Sequence, residues 1–301
     1  MNKQENLDIS FFDLVQFLFE KRKNLILVFM MLSLMAVVYA LMLPNFYQSS
    51  ALLEVREQNE SSGVLGNLPS QMGNLASIAG INLNQAGGPK KNLIIETILS
   101  REFLSELLKF DGVRQNLTAV KSIRNGVMIY DQNLYIGELG KWQDDAFPSD
   151  LEVYRDFYRL NLSINSDSKT GFIFIGYEHL SPTFSQEFVT LIINQINNKM
   201  RNRVLSETSR SIDFLSNSLA STIDVEIRRL LANLLESEIS KRMLADIHED
   251  YSLIVIDKPF VPEKKSSPAR AILCILIVSF GMLAYITFLL FYNFLWTRLI
   301  K

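Results

Sequence analysis

Chemistry has few places to reside in this 301-residue chain. His179 and His248 are its only histidines, the residues that could hold a metal or move a proton near neutral pH. They lie far apart in the sequence, and neither has a second ligand at metal-type spacing. His248 falls in the run Asp246-Ile247-His248-Glu249-Asp250 and suits a helix end, where a cation meets the negative pole of the dipole. Adjacent carboxylates occur at Asp144-Asp145 and Glu249-Asp250. Neighbours in sequence do not face one another on a helix, so these read as solvated charges rather than an acid/base pair. Gly87-Gly88-Pro89-Lys90-Lys91 lacks the spacing of a phosphate-binding loop and puts proline where backbone donors are needed. The one cysteine, Cys274, lies in an apolar run, and there is no G-x-S-x-G nucleophile motif. Asn-x-Ser/Thr sequons at Asn59, Asn116 and Asn161 would matter only in a eukaryotic secretory setting. The reading is therefore no catalytic residue, no cofactor, no metal and no enzyme.

The elements around these residues say more. Lys plus Arg number 30 against 32 Asp plus Glu, so a strongly basic nucleic-acid binder is excluded and no nucleic-acid partner is expected. Hydrophobic residues make up 48% and charged residues 21%, which excludes a disordered chain. The mean hydropathy is nonetheless +0.14. The excess sits in two charge-free stretches, Asn24 to Leu43 and Ala271 to Thr297. Each matches a bilayer core of ~30 Å, which takes about 20 apolar residues to cross. The first is too long for a signal-peptide core and ends at Leu43-Pro44-Asn45-Phe46-Tyr47 without a cleavage pattern. Tyr292 and Trp296 sit near the end of the second, as interfacial anchors do.

Lys21, Arg22 and Lys23 before the first run, with Arg298 and Lys301 after the second, predict both termini in the cytoplasm. Lys264, Lys265 and Arg270 point the other way. The rule is weak, however, for intervening segments longer than ~60 residues. The expected organisation is a head at 1–23, spans at 24–43 and 271–296, a tail at 297–301 and an external domain at 44–270. A lone cysteine within a span allows no intrachain disulfide.

Within the external segment, 47–56 partly alternates and reads as a strand leaving the membrane. Six of the 13 glycines fall between Gly63 and Gly88, so 57–92 reads as a loop, either a flexible linker or one packing on a neighbouring subunit. Leu68, Leu75, Ile78 and Ile81 keep it from being fully polar. Asn92 to Leu108 carries helical periodicity, and Gln143 to Arg159 predicts a helix entered at Pro148-Ser149. Leu160–Ile164 and Thr170–Tyr177 predict strands joined by a turn at Asp167-Ser168-Lys169.

From Thr183 to Lys258 there is neither Gly nor Pro. Ser181-Pro182 caps the start of a helical pattern that runs to about His248, after which 251–257 switches to a strand. Apolar residues from Leu191 to Leu235 recur every three or four positions. The opposite face is polar and includes Asn194, Asn197, Asn198, Arg201, Arg228, Arg229, Glu236 and Lys241. One straight helix over this stretch would be ~100 Å long. Both ends meet strands, and if those strands belong to one sheet the helix must fold back. The Ser/Thr-rich segment Ser206 to Thr222 is the expected bend, giving two arms of ~33 residues and ~50 Å. The fold class is then an α+β membrane protein: two transmembrane helices flank an α/β base (44–180 and 251–262) with a long protruding helical hairpin (182–249).

The segment before the second span reads Pro259-Phe260-Val261-Pro262-Glu263-Lys264-Lys265-Ser266-Ser267-Pro268-Ala269-Arg270. Its three prolines fix φ and favour a stiff, extended connector at 259–270, a tether or a recognition element.

The FEKRKN head, the LPNFYQSSALLEV exit strand, the IIETILSREFL helix and the LLANLLESEISKRMLADIHEDYSLIVIDKPFVPEKKSSPAR run are similar to the polysaccharide chain-length determinant (Wzz) family, the polysaccharide co-polymerases without a kinase domain. The family hallmark is P-x-x-P, four residues, Ser-Pro, then a glycine-bearing second span; Pro259, Pro262, Ser267, Pro268 and Gly281 match it. Tyr285 stands where the family often has a second glycine, and Ala269 where a lysine commonly follows Ser-Pro. The first departure puts close helix packing in doubt at that point. Ala36 and Ala40 offer a small-xxx-small contact instead.

The resemblance implies a bacterial inner-membrane protein with a periplasmic domain, assembled as a homo-oligomeric ring. Such a ring sets the modal length of a lipid-linked polysaccharide made by a separate polymerase, typically lipopolysaccharide O antigen. Implied partners are the bilayer, the polymerase and the nascent polysaccharide. A capsule or exopolysaccharide co-polymerase of the same architecture is the alternative. The tail at 297–301 leaves room for neither a kinase nor the output module that a two-span sensor needs. At 301 residues the chain is short for the family, which implies short helical arms.

Overall fold

The computed structural model describes residues 20–56, 88–124, 126–144, 146–167 and 169–299. The expected loop at 57–87, including the sequon Asn59, lies outside the described residues, as do most of the N-terminal head, Asp145 and Ser168. The chain divides into two compact units, Met1–Asn45 with Ser266–Lys301, and Phe46–Lys265.

The first unit holds α1 (Arg22–Met42) and the last helix (Arg270–Leu299). Arg22–Met42 and Arg270–Tyr292 are long and apolar enough to cross a membrane, and few of their side chains are buried by protein. A soluble core helix would have buried them.

The second unit is built on an antiparallel sheet of order β6-β7-β1-β8, with β1 Tyr47–Val55, β6 Leu162–Ser166, β7 Ile173–His179 and β8 Leu253–Asp257. Ser49, Ala51, Leu53 and Val55 of β1 point to the core, and the first three stand in register with Tyr177, Ile175 and Ile173 of β7. The other face keeps Gln48 and Glu54 exposed, the alternation expected of a sheet covered on one side. Over that outer face Gln48 donates to the Ser163 hydroxyl (2.8 Å) across Gly176. A Cβ at Gly176 would lie 2.7 Å from both groups, so the bridge depends on glycine.

Three helices cover the buried face: α2 (Gly88–Ile98), α3 (Arg101–Leu107) and the start of α5 (Pro182–Ser221). They contribute Ile94, Ile98, Phe103, Leu104, Leu107, Phe184, Phe188, Ile192 and Ile196 to one core. The expected single helix over 92–108 is two helices. Ser100 breaks it by donating to the Thr97 carbonyl (2.7 Å) and accepting the Phe103 amide (3.1 Å). It is the N-terminal cap of α3. Between α4 (Val113–Thr118) and residue 148 lie two small hairpins that no periodicity announces, β2–β3 (Val120–Arg124, Val127–Tyr130) and β4–β5 (Tyr135–Ile136, Lys141–Trp142).

The helix expected over 143–159 begins only at Asp150, after a reciprocal capping box between Ser149 and Glu152. It widens into a π turn over Val153–Tyr158 and closes over Arg159–Asn161. The Tyr154 and Tyr158 hydroxyls both reach the end of α2, at the carbonyls of Leu99 (2.8 Å) and Ile98 (2.7 Å). Leu160, expected in a strand, stays in this helix, and β6 starts at Leu162.

The hairpin bends later than expected. In the Ser/Thr-rich stretch, hydroxyls bond back to carbonyls one turn earlier, which a continuing helix accommodates. Thr208 does so to Val204 (2.8 Å) and Ser221 to Asn217 (3.1 Å). Asp224 then caps α6 (Val225–Ile247) through the Glu226 and Ile227 amides, at 2.8 and 3.0 Å. A side-chain oxygen at this position satisfies amides that the first helical turn leaves free. The arms are 40 and 23 residues rather than two equal ones. Arg201 closes the return, donating to the carbonyls of Ala245 (2.7 Å) and Asp246 (3.2 Å). These lie at the C-terminal end of α6, where carbonyls lack partners within the helix.

Candidate functional site

β8 ends at Asp257, and Pro259 and Pro262 lie just beyond it. Neither has an amide to donate, so neither can extend the ladder. Pro262 is buried, while Phe260 and Val261 are exposed. The connector is held through its carbonyls. The Ser49 hydroxyl donates to Phe260 (2.7 Å), and Gln186 Nε2 reaches Pro259 (3.5 Å).

Ser49 belongs to a larger arrangement. Its backbone amide donates to Ser185 Oγ (2.8 Å), and that hydroxyl donates to the Tyr177 carbonyl (2.5 Å). Ser49 and Tyr177 stand opposite each other in the β1–β7 register. The first turn of α5 is thus keyed between two backbone groups of the sheet, and both serines are fully buried. A second key sits further along. Asn197 accepts the amides of Ser252 (3.0 Å) and Leu253 (2.8 Å) and donates to the Leu253 carbonyl (3.0 Å). Asn197, expected on the polar face, is therefore buried, while Asn194 and Asn198 are exposed.

Ser267, Pro268 and Gly281 lie in the other unit, with Ser267 and Pro268 half-buried on either side of a cis peptide bond. There Gly281 faces α1: a Cβ at this position would come within 2.8 Å of Leu32 Cδ1. Ala36 and Ala40 are the buried residues of α1, and Cys274 Sγ lies 3.6 Å from the Ala36 carbonyl. Small residues let two helices approach closely. The departure at Tyr285 therefore leaves tight packing intact around Gly281. Arg270 Nη2 donates to the Leu43 carbonyl (3.1 Å) and Asn45 Oδ1 (2.9 Å). The first of these is one of the carbonyls a helix end leaves without an internal partner.

Several titratable residues bond the backbone or pair across helices. His179 accepts the Ser181 amide on Nδ1 (3.0 Å) and meets the Asn116 carbonyl with Nε2 (2.9 Å). A carbonyl can only accept, so the proton sits on Nε2. Burial pushes the His179 pKa down to about 4, so the ring is neutral near pH 7. Burial raises the Tyr158 and Tyr177 phenols above their usual range. Lys199 pairs with Glu106 (2.6 Å) and Glu102 (3.1 Å). Desolvation opposes its charge, but these two partners win and raise its pKa. His248 ends α6, its backbone amide bonded to Leu244. Lys90 donates to the Arg56 carbonyl (2.9 Å) and sits 5.3 Å from the Tyr251 ring centre. Asp144, Glu249 and Asp250 are exposed. Among the described residues no three His, Cys, Asp or Glu side chains come together as a metal site would require.

Residues 7–109 match a family model described as Wzz, chain length determinant protein, which bears out the resemblance read from the sequence. No curated protein matches the chain. Among solved structures the chain is similar to a full-length bacterial polysaccharide co-polymerase, at 12% identity over 97% of this chain and 100% of that one, with a TM-score of 0.39. It is also similar to a fragment of WzzB, a polysaccharide co-polymerase from Salmonella Typhimurium, at 14% identity over 74% of this chain and 100% of that one, with a TM-score of 0.28.

Proposed function

We propose that this chain, whose N-terminal third carries the chain-length determinant signature, is a polysaccharide co-polymerase that regulates the modal length of a lipid-linked surface polysaccharide. The match over residues 7–109 is the observation that carries the reading. O antigen of lipopolysaccharide is the proposed polymer, with a membrane polymerase and the nascent polysaccharide as partners. The chain acts without catalysing the reaction itself. In support, the buried histidine and the tyrosines hold backbone carbonyls, and Lys199 joins two helices. Residues 44–270 face the periplasm, and both termini face the cytoplasm of an inner-membrane protein. The two long apolar helices and the basic residues Lys21, Arg22 and Lys23 support this topology.

The working form is a homo-oligomeric ring. The exposed apolar residues of α6 favour it: Leu230 and Leu234 are half uncovered, in line with Ile227. A soluble monomer rarely leaves so long an apolar stripe open. Deleting the gene should convert a clustered lipopolysaccharide ladder into chains of unregulated length, and the intact gene on a plasmid should restore the cluster. An unchanged ladder refutes the reading.

A further inference from the structure

We propose that Ser49 and Ser185 are positioning residues that fix the connector at Phe260 relative to the root of the helical hairpin, and that this alignment sets modal length. The inference rests on the chain-length reading above.

The connector and the hairpin are distant in sequence, yet one short relay joins them. Phe260 is held by the Ser49 side chain (2.7 Å), and the Ser49 amide is held by Ser185 on the first turn of α5 (2.8 Å). Ser185 donates to the Tyr177 carbonyl (2.5 Å), which ties the relay to β7 as well. Each hydroxyl commits its single proton to a carbonyl, so neither can rotate to serve another group without leaving a buried atom unsatisfied.

Ordinary packing does not account for these residue types. Position 49 lies in the inward row of β1 with Ala51, Leu53 and Val55, where an apolar side chain fills the same space. Position 185 lies between Phe184 and Phe188 against the sheet and is likewise fully buried. A serine gives up hydrophobic burial at each place and supplies a directional bond. The two bonds meet at one residue of β1, the strand that begins shortly after α1 ends. A shift of the connector is therefore felt at the base of the hairpin through two buried hydroxyls on the inner face of the sheet.

The test uses the full-length chain in the deletion strain. Ser49→Ala and Ser185→Ala should shift or broaden the modal cluster, and the double variant should do no more than the stronger single one. Ser49→Cys nearly keeps the volume and replaces a strong donor by a weak one, so it should act like Ser49→Ala at wild-type protein level. Asn197→Ala serves as the comparison. It loses buried bonds to Ser252 and Leu253 but none to the connector. It should therefore lower the melting temperature and keep the modal cluster wherever protein accumulates. If both serine variants retain the wild-type cluster while the deletion strain loses it, the relay is overturned and the function stands. If the deletion strain itself keeps the cluster, the function falls first. A length shift in Asn197→Ala equal to that of the serine variants also overturns the relay, since general destabilisation would then explain it.

Discussion

Replacing Asn197 by alanine removes three hydrogen bonds at one buried point where α5 crosses the start of β8. The side chain is 3% exposed, so little water replaces it. The amides of Ser252 and Leu253 lose their acceptor together. A buried donor left without a partner costs about 1–3 kcal/mol, and two neighbouring losses do not add fully. The expected destabilisation is about 3 kcal/mol. For a unit of this size each kcal/mol moves the midpoint by about 2–4 °C, so the melting temperature should fall by roughly 6–12 °C. The assay is thermal unfolding of the detergent-solubilised chain, followed by circular dichroism, beside Asn198→Ala. Asn198 is one position away on the same helix but exposed. An exposed substitution of this kind should stay within about 0.5 kcal/mol. Equal melting temperatures for the two variants would refute the clamp.

Acid should weaken the fold through His179. Its folded-state pKa, about 4, lies below its ordinary value, so the unfolded chain takes up a proton first as pH falls. The stability contribution is complete above pH ~6.5 and disappears as pH drops toward ~4, an effect of about 3 kcal/mol. Melting temperatures measured across that window should fall in the wild type and fall less steeply in His179→Gln. Gly281→Phe should force apart the paired spans by colliding with Leu32, and Leu32→Ala should relieve it. Oxidative crosslinking between Cys274 and an introduced Ala36→Cys reports the pairing, and unchanged crosslinking in Gly281→Phe would contradict it.

The spans, the sheet strands and the paired helices are legible in the sequence because each depends on a period or on a missing residue type. β1 alternates, the spans lack charge, and the stretch after Pro182 lacks helix breakers. What escapes is what depends on single side chains. Asn194, Asn197 and Asn198 look alike in sequence, and only the position of β8 decides which one is buried. The Ser/Thr run suggests a bend, but hydroxyls that bond back along the helix are compatible with continuing it, and the actual stop is the Asp224 cap. Ser100 and the capping box at Ser149 set helix starts inside segments whose periodicity looks continuous. Of the motif residues, Gly281 faces Leu32 closely, and Pro259 and Pro262 lie beyond the end of β8 without an amide to donate. Ser49, which holds the connector, carries one available signal, a polar residue in an inward strand row.

The unequal helices of the hairpin conceal a matched pair. The core-facing residues of α5 run from Phe184 to Met200, and only Thr208 and Leu215 are buried beyond that point. The rest of α5, from Arg201 to Ser221, nearly equals α6 with its 23 residues, and Arg201 marks where the two draw level. This free part extends roughly 30 Å. Its height is a parameter that can change without disturbing anything beneath it. Inserting about seven residues in each helix, two turns, would raise the tip by about 10 Å and restore nearly the same facing. Inserting them in one helix alone would throw the pair out of step. Such a scaffold can be retuned by paired insertions while its base keeps the same side chains.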